Sequence, residues 1–151
     1  MNLLFVADVS INKVIGGAER VLYEQTTRLA RRGHNVSIMT RMLPNCDMDH
    51  EIIDGVHEWR HLYNGNNPLT FIYSTWINSK KLFESLHQNI LFDCINFHQP
   101  FSAIGVIHSA QSIRIPKIYT CHSLSFEEYI SRKGKNHRFF SKFTNFIQSR
   151  G

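Results

Sequence analysis

The chain has 151 residues, 42% of them hydrophobic and 19% charged, which suits a globular domain with its own core and excludes a disordered chain. Seventeen Lys and Arg against twelve Asp and Glu give a net charge of +5, a balance that fits an anionic partner (a phosphorylated ligand, a membrane surface or nucleic acid) without choosing among them. No run approaches the roughly 20 apolar residues of a membrane span, and the opening MNLLFVADVS lacks the basic start of a secretory signal. Three cysteines cannot form a closed disulfide set. Cys94 and Cys121 fall inside apolar, strand-like runs, so they are expected as reduced, buried residues of a cytosolic chain.

Leu3 to Ala7 is a continuous apolar run of the kind that forms a parallel strand buried on both faces. After a loop from Asp8 to Gly17, the spacing of Ala18, Val21, Leu22, Gln25 and Leu29 predicts a helix. Glu19 lies near its start and Arg28, Arg31 and Arg32 near its end, as the helix dipole favours, and Gly33 follows as a natural stop. Glu24 and Arg28 stand at i,i+4 and can pair. Val36 to Thr40 completes a βαβ unit with parallel strands. Leu43 to His50 is loop-like, and Glu51 to Tyr63 reads as short strands broken at Asp54-Gly55.

The second half continues the alternation. Leu69 to Leu86 is expected as a helix with Phe71, Ile72, Trp76, Phe83 and Leu86 on its apolar side. Phe92 to Phe97 is a strand, Ser102 to Ala110 a short helix and Ile115 to Cys121 another strand. Ser125 to Ile130 suggests a helical turn and His137 to Gln148 a helix. The pattern is that of an α/β domain, a Rossmann-like open parallel sheet with helices on both faces. Residues 1–151 are read as one such domain, incomplete at its C-terminus, because Gly151 follows the last helix where a doubly wound chain returns to its sheet.

Gly16 and Gly17 lie between the first strand and the first helix. In an open parallel sheet, ligands bind outside the carboxyl ends of the strands. Paired glycines there admit a ligand close to the backbone, and the helix N-terminus favours an anion; the plainer alternative is a simple helix boundary. The loop is neither a G-x-G-x-x-G dinucleotide fingerprint nor a P-loop. His98 and His122 each close a predicted strand, so both fall at the same carboxyl edge. There a histidine can act as a general base or meet a sugar hydroxyl, or it can be an ordinary polar strand end.

His57-Glu58-Trp59-Arg60-His61 spells the zinc-protease pattern H-E-x-x-H. That pattern needs a helix, and the alternation of His57, Trp59, His61 and Tyr63 between two turns indicates a strand, so the match reads as chance and no metal is expected. From Arg132 to Lys142 basic residues are interleaved with aromatics, ending at Phe143 and Phe146. This is either a surface for anionic lipid or, on the preferred reading, a helix with its Phe face turned to the core and its basic face solvated. The stretch carries no nucleic-acid motif, and no nucleic-acid partner is expected. The serines show no nucleophile elbow, and Asp8 and Glu127 read as isolated acids.

The run Val14-Ile15-Gly16-Gly17-Ala18-Glu19-Arg20-Val21, followed by Leu29-Ala30-Arg31-Arg32-Gly33-His34-Asn35-Val36 and Thr40, resembles the start of glycosyltransferase family 4, the retaining GT-B enzymes. Ile118-Tyr119-Thr120-Cys121-His122-Ser123 resembles a later strand of that family, and Asp93 to His98 the strand before it. The resemblance implies the N-terminal, acceptor-side domain of a two-domain enzyme that moves a sugar from a nucleotide-sugar donor to a glycan or lipid-linked acceptor. It implies that Gly16 and Gly17 lie near the donor diphosphate and acceptor, that His122 stands as the catalytic residue by the transferred sugar, and that His98 belongs to the acceptor side. It implies work in the cytoplasm, with peripheral contact at the inner membrane face, and no cofactor. The glutamate pair and the Arg and Lys of the family's donor-binding domain are absent from these 151 residues. The chain is therefore expected to be inactive alone and to need a separate donor-binding domain or subunit. The alternative is a non-catalytic binding module that kept the fold.

Overall fold

The structure, a computed structural model, describes residues 1–12, 16–42 and 48–122. The chain divides into two compact units, Met1–Thr120 and Cys121–Gly151. Of the second, Cys121 and His122 are described, so the turn expected at 125–130, the helix expected at 137–148 and the basic, Phe-rich stretch lie outside the described residues.

In the first unit the elements run β1 (Asn2–Val6), α1 (Gly17–Arg31), β2 (Asn35–Arg41), β3 (His50–Ile53), β4 (Val56–His61), α2 (Pro68–Asn89), β5 (Cys94–Phe97), α3 (Pro100–Ile107) and β6 (Lys117–Tyr119), with a 3-10 turn at Ala110–Ser112 before β6. The six strands form one sheet in the order β3-β4-β2-β1-β5-β6. Every neighbouring pair is parallel except β3 with β4, a hairpin turning at Asp54 and Gly55 with positive φ at both. The expected Rossmann-like parallel sheet is therefore present, with one antiparallel edge strand.

Central β1 is apolar from Leu3 onward because it is covered on both sides. Leu4 and Val6 join the core built by α2 and α3 with Phe83, Ile95 and Val106. Phe5 and Ala7 join the opposite core, with Leu22 of α1, Val36 and Ile38. Alternate side chains of one strand thus feed two cores, which fixes its register with β2 and β5.

α1 starts one residue earlier than its apolar spacing suggests, with Gly16 as N-cap. It carries Glu19 in its first turn and Arg28 and Arg31 in its last, and Gly33 follows with φ +85°. The Glu24–Arg28 pair forms at 2.9 Å. Leu22 is buried as expected, but Val21 and Gln25, expected on the same face, are exposed, and Thr26 and Thr27 are buried instead. Both threonines return their hydroxyls to the preceding turn, Thr26 to the Leu22 carbonyl oxygen and Thr27 to that of Tyr23, each at 2.7 Å.

α2 departs further. Phe83 and Leu86 are buried as expected, but Ile72 and Trp76 are exposed, and Thr75 and Ser79 take the inward places. The reason is the approach of α3. A Cβ added at Gly105 would lie 2.0 Å from Ser79 Oγ and 2.4 Å from the Trp76 carbonyl oxygen, so the two helix backbones nearly touch and only small residues fit between them. Cys94 is half-buried and Cys121 is exposed, so the expectation of a buried Cys121 fails: the last strand ends at Tyr119, before it reaches that residue.

Candidate functional site at the carboxyl edge of the sheet

β2 and β5 flank β1 on opposite sides, so the chain reverses direction across the sheet beside β1. A crevice opens outside the carboxyl ends of the strands at such a reversal. The segments that leave β1 and β5 meet there: His98 N–H donates to the Val6 carbonyl oxygen (2.9 Å), and Asp8 N–H donates to Gln99 Oε1 (2.7 Å). His98 is only 2% exposed, its ring 5.6 Å from that of Phe5.

Three elements converge on Asp8. Its Oδ1 accepts from the Ser102 amide (2.9 Å) and the Ser102 hydroxyl (2.7 Å), and its Oδ2 from the Phe101 amide (3.2 Å). Asp8 thereby caps α3, whose own N-cap residue, Gln99, makes no side-chain cap. Arg41, closing β2, donates to the Asp8 carbonyl oxygen (3.1 Å from Nη2), and its guanidinium lies over Tyr63 and Phe71 at 5.5 and 5.3 Å.

His61, closing β4, brings Nε2 to 3.0 Å from Ser102 Oγ and Nδ1 to 3.2 Å from the Leu62 carbonyl oxygen. Burial, the largest influence, holds the His61 ring below its ordinary pKa of 6.5, outweighing the upward pull of the Leu62 carbonyl and Asp8; Arg41 adds to the lowering. At pH 7 the ring is thus neutral with a single proton. The ring stands between two acceptors, the Leu62 carbonyl at Nδ1 and the Ser102 oxygen at Nε2, whose own proton goes to Asp8, and the neutral ring has one proton to offer them. The hydroxyl is committed to the carboxylate and sealed from solvent, so this Asp, Ser and His form a truss, not a nucleophilic triad.

A second buried assembly holds the loop ahead of the glycines. Both carboxylate oxygens of Glu58 are engaged: Oε1 accepts from the Ser10 hydroxyl (2.6 Å) and from Arg60 (2.9 and 2.7 Å), and Oε2 from the Ile11 amide (2.8 Å). Arg60 extends the network to Glu51 at 2.6 Å, and Asn12 closes on the same Glu51 oxygen. The central residues of the H-E-x-x-H match thus clamp the β1–α1 loop. On a strand, His57 and His61 stand about 13 Å apart along the chain, unlike two ligands on a helix. Among the described residues no group of three or more His, Cys, Asp or Glu could hold a metal ion.

Beyond that clamp, Gly16 caps α1 with extended backbone and no side-chain cap. Among the described residues, a Cβ at Gly16 would meet only the Glu19 carboxylate, and a Cβ at Gly17 would meet nothing within 4 Å. Neither glycine is required by φ or by packing, so what the pair provides is open space over the first N–H groups of α1, where an anion is favoured. His122 lies three residues past the end of β6, half-buried, in the second unit.

Of the residues singled out from the sequence, Gly16, Gly17 and His98 belong to the carboxyl-edge side of the first unit. Asp8, read from the sequence as an isolated acid, is instead the hub of the edge, and Glu58 and His61, read as part of a chance motif, work with Ser10, Ile11 and Ser102; the partners that give these residues, Arg41 and Ser102 their roles lie 33 to 94 residues away in sequence. The one local signal was an acid placed directly after an apolar strand.

A mostly parallel sheet with helices on both faces and a reversal of strand order beside β1 defines a doubly wound, Rossmann-like α/β domain. Its particular kind follows from the sequence: Glycosyltransferase Family 4 matches residues 15–150, and the chain belongs to that family. The fold is that of a GT-B N-terminal half. It is similar to sucrose-phosphate synthase from Thermosynechococcus elongatus, with a TM-score of 0.68 at 18% identity over 89% of this chain. A shorter chain of the same synthase gives 0.58 at 16% identity over 85%. The chain spans 36% of the length of the first of these and 66% of the second. Among curated proteins none matches.

Proposed function

We propose that this domain forms the acceptor side of a glycosyltransferase that moves a sugar from a nucleotide-sugar donor to a glycan or lipid-linked acceptor, and that it does not turn over alone. The observation that carries the reading is the pair Gly16-Gly17, kept free of packing duty at the mouth of α1 in a chain of this family. In the reading, the first N–H groups of α1 face the donor diphosphate, and the Glu58 clamp keeps the loop open. His122 stands by the transferred sugar, and His98 belongs to the acceptor side. Charge building on the departing diphosphate must be offset in the transition state, and the groups for that belong to a separate donor-binding domain or subunit. The setting is the cytoplasm, at the inner face of the membrane.

The test is a transfer assay with a panel of nucleotide sugars and membrane extract, run with and without a co-expressed donor-binding domain of the family. Activity is expected only with the second domain. In that pair Gly17→Ala is expected to lower transfer about tenfold or more while the chain melts no lower than wild type, because the added methyl enters ligand space and touches no atom of the described residues. Neither transfer nor nucleotide-sugar binding in either form would overturn the enzyme reading and leave a binding module.

A further inference from the structure

The first half of α2 is amphipathic the wrong way round. Its small polar residues Thr75 and Ser79 are buried, while Leu69, Ile72, Tyr73 and Trp76 are 81, 44, 64 and 36% exposed. These four recur at spacings of three and four and so form one row along the helix. The inversion is enforced from inside: α3 crosses so closely at Gly105 that no large residue fits inward, yet nothing in that packing asks for large apolar residues outward. A soluble helix would place polar residues there.

The same row runs on to Lys80, with Lys81 exposed beside it, and from Pro68 to Phe83 the helix has no acid. The nearest acid on the helix, Glu84, lies 4.0 Å from Lys80 Nζ, a surface contact of little strength. The row has four residues over about 11 Å of helix, far fewer than the roughly 20 to 30 residues a side of a stable protein interface. A short apolar row containing Trp and Tyr and ending in lysines matches the boundary between acyl chains and anionic headgroups.

We propose that the first half of α2 docks on an anionic lipid surface, with Leu69, Ile72, Tyr73 and Trp76 entering the headgroup boundary and Lys80 and Lys81 against the headgroups. The inference deepens the membrane setting of the proposed function and rests on it, but its test involves no sugar, so docking can fail while sugar transfer stands.

The 151-residue chain is sedimented with vesicles of equal parts phosphatidylglycerol and phosphatidylcholine, and with phosphatidylcholine alone. Trp76 is one of two tryptophans and the one on the row, so its emission should shift to the blue on binding. Binding is expected to the mixed vesicles. L69S/Y73S should reduce the partition coefficient about tenfold or more, and K80E/K81E should reduce it on mixed vesicles. Ile52→Ser, an exposed apolar site on β3, should leave it unchanged. All four substituted positions of the two double variants lie on the outer side of α2, and circular dichroism checks that each variant folds. Failure of the wild-type chain to sediment would overturn the proposal, as would L69S/Y73S sedimenting like wild type. So would a finding that the row variants abolish self-association in the ultracentrifuge while vesicle binding persists, since the row would then face a second copy.

Discussion

Replacing Glu58 with Ala separates the clamp from the rest of the fold. The carboxylate is fully buried and accepts two bonds from Arg60, one from the Ser10 hydroxyl and one from the Ile11 amide. Removing one partner of a buried ion pair costs about 3 to 5 kcal/mol when the other charge is left unpaired; Arg60 keeps Glu51 at 2.6 Å, so the lower end, about 3 kcal/mol, is expected. A domain of this size has about 5 to 15 kcal/mol in total, so the variant should fold with a clearly lower urea midpoint and an unchanged slope. In the E58M/R60M double variant both charges leave together. What remains is the lost acceptor for Ser10 and Ile11, about 1 to 3 kcal/mol, and the lost partner of Glu51, a small term because that carboxylate reaches solvent and keeps Asn12, so the double variant should be no less stable than Glu58→Ala. Hydrogen exchange supplies the local readout: the Ile11 amide should lose protection in both variants while that of Phe5, in the β1 ladder, keeps it. A loss below about 1 kcal/mol for Glu58→Ala, or a double variant less stable than the single, would refute the assignment of Glu58 as a buried clamp.

Two further outcomes follow from the same geometry. Gly105→Ala puts a methyl 2.0 Å from Ser79 Oγ and within 2.6 Å of two backbone atoms of α2, so it should cost about 3 kcal/mol or more in denaturant melts. Adding Ser79→Ala should recover a minor part, because the backbone contacts remain. The His61 ring titrates below 6.5 in the folded chain, so the unfolded chain binds its proton first, and stability should fall as pH drops through and below 6.5. His50 acts in the same direction, its ring lowered by burial and by His57. Thermal melts across pH 8 to about 5 should show this decline, and His61→Gln should flatten it; an equal slope in that variant would show that the truss does not titrate.

The order of strands and helices was legible because each element carries its own period and its own stops. A continuous apolar run marked β1, Gly33 ended α1, and Asp54-Gly55 turned the β3–β4 hairpin. The family was legible too, because the Gly16-Gly17 loop and the helix exit at Gly33 are contiguous strings. The alternation of His57, Trp59 and His61 sufficed to make β4 a strand in spite of the H-E-x-x-H string. Tertiary structure alone decided which side of α2 faces inward. Periodicity assigns the apolar side to the core, but the close crossing at Gly105 admits only a small side chain at Ser79, and with Ser79 and Thr75 inward, Ile72 and Trp76 turn outward. It also decided the working partners of the carboxyl edge. Asp8 as a cap for α3, His61 against Ser102, and Glu58 under the β1–α1 loop are contacts between strand ends that the parallel sheet brings together across tens of residues. Local propensity carries no record of them, since a buried polar group is satisfied by whatever the fold places beside it.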